Sequence, residues 1–300
     1  SLHDALPILR ACNVSVLDGA GKALFTTSSN ASSGNLTIPG NITLHRGEYT
    51  AHVKCINNAH LFSMSSALFV IDNTPPFSKG PILAGVSPYG FFQYQSDNTS
   101  ITASWPPFAD DESNVESYFC AIGSEPYKDD IIPFENVGLA TELTETNLRL
   151  SHGETYFITV ISRNQAGLSS NITSLGLKID TSQPLAESKD VKDGKYDEDI
   201  DFFSSGMEFS GRWEDITDPE SGISESKYCV GTSPYGCQIK AMTSTGKNKS
   251  FVCPECVAKE GERVFVTVCV TNGAGLSKTV SSDGDRKSTR LNSSHVRTSR

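Results

Sequence analysis

The sequence predicts an all-β protein built from tandem β-sandwich domains, and three observations carry that prediction. One stretch recurs. Leu148-Arg-Leu-Ser-His-Gly-Glu-Thr-Tyr156, followed by a strand-like run to Asn164-Gln-Ala-Gly-Leu168, returns as Glu260-Gly-Glu-Arg-Val264 running to Asn272-Gly-Ala-Gly-Leu276. A worn copy runs from Leu44 through Tyr49 to Asn57, so the three asparagines are spaced by 107 and 108 residues. A period that long, with one such strand per unit, describes whole domains in tandem and not a solenoid. Second, short apolar-polar alternations recur about every ten residues between Gly, Asn, Ser and Pro turn signals. Third, no long stretch shows the 3.6-residue period of an amphipathic helix.

The two ends are set aside first. Ser1-Leu-His-Asp-Ala-Leu-Pro-Ile8 and the run from Asp285 to His295 resemble translated short-read sequencing adapters, so 1–8 and 285–300 are read as artefact. The other reading of the second run is a basic, Ser-rich nucleic-acid arm. Net charge is -10 for the whole chain, and without the two tails 33 acidic and 20 basic residues leave -13. An acidic surface without a basic stripe argues against nucleic acid and anionic membranes as partners. No apolar run reaches the roughly 20 residues of a membrane helix.

In order along the chain, 9–77 reads as the C-terminal part of a domain, with strands expected over 11–17 and 49–56 and a last strand from Leu68 into Asp72-Asn-Thr-Pro-Pro76. Paired prolines cannot continue a ladder, so this is a linker. The unit 78–184 is complete: strands are expected over 100–105, 116–123, 130–137, 144–150, the run after Tyr156, and 171–179. Asp180-Thr-Ser-Gln-Pro184 repeats the linker. The unit 185–284 follows in register, with Trp105, Asp110, Glu112, Ser113, Gly123, Pro126, Tyr127 and Ile131 matched 108 residues on by Trp213, Asp218, Glu220, Ser221, Gly231, Pro234, Tyr235 and Ile239. It is read as truncated in its last strand. Period-two parity puts Tyr156, Ile158 and Val160 on one face, and Val264, Val266 and Val268 on the matching one.

A tryptophan in the second strand, then Leu-x-x-Gly-x-x-Tyr entering a strand that ends near Asn-x-Ala-Gly-Leu, resembles the fibronectin type III repeat over both full units and the end of the first. The resemblance implies that Trp105 and Trp213 are core residues and that Tyr49 and Tyr156 are corner tyrosines. Val264 holds the corner position of the third unit, which puts its corner hydrogen bond in doubt.

The eight cysteines divide as Cys12 and Cys55, then Cys120, then Cys229, Cys237, Cys253, Cys256 and Cys269. Under the sandwich reading Cys12 and Cys55 lie on neighbouring strands with matching parity and form the best single disulfide pairing, while Cys120 faces inward as a small apolar side chain. Five cysteines cannot all pair within one unit, and their connectivity stays open. Cys253-Pro-Glu-Cys256 admits a redox dithiol or half a zinc site, but a redox motif of this kind opens a helix in a βαβ context and the spacing matches no common zinc ribbon. Structural disulfides are the preferred reading.

Sequons stand at Asn13, Asn30, Asn35, Asn41, Asn98, Asn171 and Asn248. With the cysteines they favour a secreted or cell-surface location. Calcium candidates are Asp197, Asp199 and Asp201 in one cluster, and Asp110, Asp111 and Glu112 with their counterparts Asp218 and Glu220 in the other; a solvated acidic loop competes with that reading and no EF-hand spacing is present. No nucleophile elbow, phosphate loop, dinucleotide turn or His-Glu-x-x-His pair occurs, and His152 reads as a corner residue rather than a general base. No cofactor is expected. The leading expectation is a non-catalytic extracellular interaction, adhesion or spacer module whose partners are extracellular proteins or glycans. The alternatives are accessory domains of an extracellular enzyme or a structural matrix repeat, and fold alone does not choose between them.

Overall fold

The computed structural model describes residues 9–29, 37–85, 93–194, 202–203 and 208–287. The first unit contributes β1 (Leu9–Asp18), β2 (Ala23–Ser29), β3 (Gly47–Asn57) and β4 (Phe62–Ile71), paired antiparallel in the order β2-β1-β3-β4. The second contributes β5 (Leu83–Ala84), β6 (Tyr94–Gln95), β7 (Ile101–Ser104), β8 (Val115–Gly123), β9 (Ile132–Gly138), β10 (Glu142–Glu145), β11 (Thr155–Asn164), β12 (Ser169–Thr173) and β13 (Leu177–Ile179). These form a three-stranded sheet, β10-β7-β5, and a larger one, β6-β13-β11-β8-β9, with β12 also paired to β11. The third unit repeats the plan with β14 (Lys192–Asp193), β15 (Phe202–Phe203), β16 (Phe209–Arg212), β17 (Ile223–Gly231), β18 (Lys240–Gly246), β19 (Ser250–Cys253), β20 (Arg263–Asn272), β21 (Ser277–Ser281) and β22 (Asp285–Lys287). Its sheets are β14-β16-β19 and β15-β22-β20-β17-β18, with β21 on β20. This is a run of fibronectin type III-like sandwiches, all-β apart from one 3-10 turn at Ser188–Asp190 among the described residues. No helix among the described residues is long and apolar enough to cross a membrane.

The second and third units each close two sheets over one core. In the second unit Ile101, Trp105, Ile122, Tyr156, Ile158, Val160, Leu177 and Ile179 are buried together, and in the third Phe209, Trp213, Phe251, Val264, Val266, Val268 and Val270. Each fully buried aliphatic side chain contributes roughly 1.5–3 kcal/mol, so either core suffices for an independent domain of this size. Trp105 and Phe108 both lean on Tyr118, whose hydroxyl accepts the Phe108 N–H at 3.0 Å. The corner tyrosines are bonded as well: Tyr49 Oη donates to the His45 carbonyl at 2.8 Å, and Tyr156 Oη accepts from the Ser151 N–H at 2.9 Å. Val264 has no hydroxyl and is simply packed, 1% exposed.

The repeated Ile/Val-Gly-Ser/Thr turn has a steric cause. A Cβ on Gly123 would lie 2.3 Å from the Lys128 carbonyl oxygen, and one on Gly231 would lie 2.3 Å from that of Gly236. No side chain fits where that hairpin folds back on its own strand.

Several elements differ from the sequence expectation, among them β5 and β6, which have no counterpart in it, and β10, which spans Glu142–Glu145 against an expected 144–150. β2 has no counterpart in it, because Ala23-Leu-Phe-Thr-Thr alternates too weakly to stand out from loop. β4 begins at Phe62, six residues before the expected Leu68. The single closing strand over 171–179 is two strands, broken at Gly176, whose φ of +95° turns β13 away from β12; Gly284 repeats the break at +89°. Asp285–Lys287, set aside with the tail, lie as β22 in the place that Leu177–Ile179 hold one unit earlier, pairing β20 at Val264 and Arg263. A ladder is made by main-chain groups, so the position accepts any extended segment.

Candidate functional site

The residues that the repeat marks most strongly converge where one unit meets the next. At the first junction, β11 ends in Asn164, whose Oδ1 accepts the Leu168 N–H at 2.8 Å and closes the turn of Asn-x-Ala-Gly-Leu. That leaves the amide nitrogen facing the linker. It donates to Asp72 Oδ2 at 2.7 Å, to Asp110 Oδ2 at 3.0 Å and to the Thr74 carbonyl at 3.1 Å. Asp72 sits in the linker, where its other oxygen accepts the Thr74 N–H at 2.9 Å in an Asx turn. Asp110 sits in the loop between β7 and β8 and accepts the Ser113 N–H at 2.8 Å. The Ser113 hydroxyl donates to Asp72, and the Thr74 hydroxyl to Glu112 at 2.8 Å.

The second junction is the same network 108 residues on. Asn272 Oδ1 accepts from Leu276 N–H at 2.8 Å, and its amide donates to Asp180 at 2.9 Å, to Asp218 at 3.1 Å and to the Ser182 carbonyl at 3.0 Å. Asn164, Asn272 and Asp180 are essentially unexposed. The linker end is then tied to the same loop by two-residue bridges, Phe77 with Ala109 and Leu185 with Thr217. Asn57 keeps only the turn half of the arrangement, accepting from the Ala59 and Leu61 N–H groups.

Burial pushes the Asp110 and Asp180 carboxyls up, but hydrogen bonds more than offset it and both sit below the ordinary carboxylate value. For Asp110 the donors are the Asn164 amide and nearby backbone N–H groups; for Asp180 they are chiefly the Ser221 hydroxyl and the two donors of Ser182.

The preceding unit adds one nitrogen-bearing side chain at each junction, Arg46 and then His152, from its own strand-to-strand corner. Arg46 reaches Glu112 at 3.2 Å. At the next junction His152 lies 3.8 Å from Asp180 and 3.7 Å from Glu220, and its Nδ1 accepts the Thr181 N–H at 3.1 Å. That bond leaves the neutral ring its proton on Nε2, directed at Glu220. Lys178 Nζ donates to the Glu220 carbonyl at 3.0 Å.

Two ligand-bearing triads result, Asp72 with Asp110 and Glu112, and His152 with Asp180 and Glu220, each with ligand atoms within 4.8 Å of one another. Calcium takes six to eight oxygens, and three side chains meet at each triad. The space between the paired aspartates holds an Asn amide NH2, whose hydrogens already do what a cation would do there. Of the calcium candidates, Asp218 and Glu220 join this network as hydrogen-bond acceptors, Asp111 stays exposed on its loop, and Asp197, Asp199 and Asp201 lie outside the described residues.

Among the cysteines, Cys12 bonds Cys55 across β1 and β3, Cys229 bonds Cys237 across the base of a hairpin, and Cys253 bonds Cys256. Cys269, grouped above with the disulfide cysteines, is a correction: it carries a free thiol. It stands opposite Lys227 and Thr279 on the outer face of β20, while Cys253 lies in the core on the other side, and the odd count leaves one thiol over. Cys120 is also free and buried; desolvation first, and Glu145 second, push its thiol up to about 12. Asn13, Asn41, Asn98, Asn171 and Asn248 are exposed, and Asn30 and Asn35 lie outside the described residues.

What sequence reasoning missed is the role of the linker aspartates. The signal was present, since Asp-x-Thr/Ser recurs at a 108-residue offset in both linkers, but nothing local says what Asp72 or Asp180 accepts from.

No protein-family model matches the chain, and no curated protein matches it. Solved structures do resemble it. Fibronectin(III)-like modules of Clostridium thermocellum CbhA share 10% identity over 70% of this chain and 96% of theirs, with a TM-score of 0.37. The FN1-FN3 domains of chicken CNTN1 share 15% over 92% and 91%, with a TM-score of 0.36. A structure from a 1.5-MDa bacterial ice-binding adhesin shares 13% over 95% and 88%, with a TM-score of 0.39. These likenesses carry no argument about function, and the sandwich assignment rests on the strand order and pairing above.

Proposed function

We propose that this chain is a non-catalytic spacer and interaction segment of a larger secreted or cell-surface protein. The observation that carries the reading is the duplicated junction: each linker is held by an Asn from the unit after it and by that unit's loop carboxylate. A chain whose task is to hold its units in fixed succession needs such joints, and surface loops remain for recognition of extracellular proteins or glycans. Three disulfides and five exposed sequons support an oxidising, glycosylating compartment. The units are taken as 78–184 and, with β22 closing its sheet, 185–287, with 9–77 as the end of a further domain, because its single four-stranded sheet has no second sheet over it among the described residues.

The test is small-angle scattering on the dilute full chain, beside a chain carrying both Asn164→Ala and Asn272→Ala. The expected result is one extended particle of fixed length for the parent and a broadened distance distribution for the variant. A parent that already scatters as freely jointed units would overturn the reading.

A further inference from the structure

The outer edge of β4 pairs with no strand among the described residues. This strand closes the sheet of the first unit, and it is exposed over nearly its whole length. Phe62, Met64 and Leu68 are 64%, 62% and 66% exposed, and Val70 39%. With Ser66 they form one unbroken row on one face, since alternate residues of a strand share a face. The strand has no charge, no proline and no sequon, and its ten-residue pairing with β3 has no bulge.

The corresponding edges of the other units are protected. β12 is five residues long and carries the sequon Asn171, in the place of Met64. β21 is five residues long and carries Lys278. Both are cut short by the glycine breaks at Gly176 and Gly284, where a Cβ would meet the Phe157 ring at 2.8 Å or the Phe265 ring at 2.5 Å. The first unit has Phe69 in that position, stacked on Tyr49, so its strand runs straight on. Short length, charge and covering groups are how natural sheets guard their edges, and of these three corresponding edges β4 is the one that lacks them all.

The row is also self-complementary. If two β4 edges meet antiparallel about a two-fold axis through Ser66, Phe62 faces Val70 of the partner, Met64 faces its Leu68, and Ser66 faces Ser66. Every large residue finds an apolar neighbour, and the small one sits on the axis. Shifting the register by one pairing sets Ser66 against Leu68 and leaves Phe62 beyond the partner's apolar row. We infer that the edge of β4 pairs antiparallel with the same edge of a second copy, joining two four-stranded sheets into one of eight. A ten-residue edge on each side lies near or below the ~1,200 Å² at the low end of specific interfaces, so a single pair associates weakly. Repetition of such contacts between arrayed chains would strengthen it.

The test uses sedimentation equilibrium of the full chain with Ser66→Lys, Ser66→Glu and an equimolar mixture of the two. Ser66 is exposed, so melting curves of both variants are expected to match the parent. The parent is expected to rise with concentration from 32.3 kDa toward twice that mass. Each variant places like charges opposite each other on the axis and is expected to weaken dimerisation at least tenfold, while the mixture restores it as a Lys-Glu pair. A parent that stays monomeric into the millimolar range overturns the inference. So does dimerisation unaffected by either variant, which would place the contact on the other, Tyr49-bearing face of the sheet, and so does a mixture no stronger than its components.

Discussion

Asn164 reaches back 92 residues to Asp72 at 2.7 Å, and Asn272 reaches back 92 residues to Asp180 at 2.9 Å. Each side chain does two tasks with its two ends: the oxygen closes a turn in its own unit, and the nitrogen holds the linker that precedes that unit. Removing the amide leaves two carboxylates facing each other without their shared donor. Asn272→Ala is expected to destabilise the third unit by about 2–4 kcal/mol, since buried charged acceptors lose their partner. Asn57→Ala, which removes only turn bonds at a half-buried site, is expected to lose about 1 kcal/mol or less. Urea unfolding of the two variants, read at each unit's transition, checks the ranking.

Acid is expected to loosen both joints. Asp110 and Asp180 are held below their ordinary value of 3.8 in the folded protein, so the unfolded chain takes up protons first as pH falls. The stability they supply is fully present above 3.8 and is lost as pH drops through the lower folded values. The melting temperature should therefore hold level well above that value and fall below it, and Asp180→Asn should flatten part of that fall. A fall centred near neutrality would contradict this assignment.

Thiol chemistry should single out one residue. Cys120 and Cys269 are the free cysteines, and Cys120 is both buried and shifted up to about 12. Iodoacetamide on the native protein is expected to add one label, at Cys269, and a second only after unfolding without reductant. Mass spectrometry of the peptides reads the outcome directly, and broad native labelling would argue against the oxidised picture.

The corner tyrosine offers a comparison inside one molecule. Tyr156→Phe strands the Ser151 N–H and is expected to lower the stability of the second unit by roughly 1–2 kcal/mol. The third unit does without this bond, holding Val264 in the core instead. Thermal unfolding resolved by unit checks whether the loss is confined to the second.

Much of the fold was legible because it is written in short-range pattern. The Tyr156, Ile158 and Val160 parity and its Val264, Val266 and Val268 counterpart need only period-two alternation, and all six residues are buried. β2 was not legible because its alternation is weak and its pairing with β1 is what makes it a strand. The break at Gly176 was missed for a similar reason, as a glycine within a strand pattern reads alike whether it bends the chain or merely interrupts a face.

By itself, then, the sequence determined the repeat, the all-β class, the inward faces and the acidic loops that come to lie at the joints. These follow from local periodicity and from register between copies. Only the tertiary structure decided that Asn164 and Asn272 clasp the linker aspartates, that Cys269 keeps its thiol while six others pair, and that β4 presents a bare edge where β12 and β21 are guarded. Those facts depend on which residues, dozens of positions apart, are brought within hydrogen-bond or bonding distance, and one-dimensional spacing does not carry that distance.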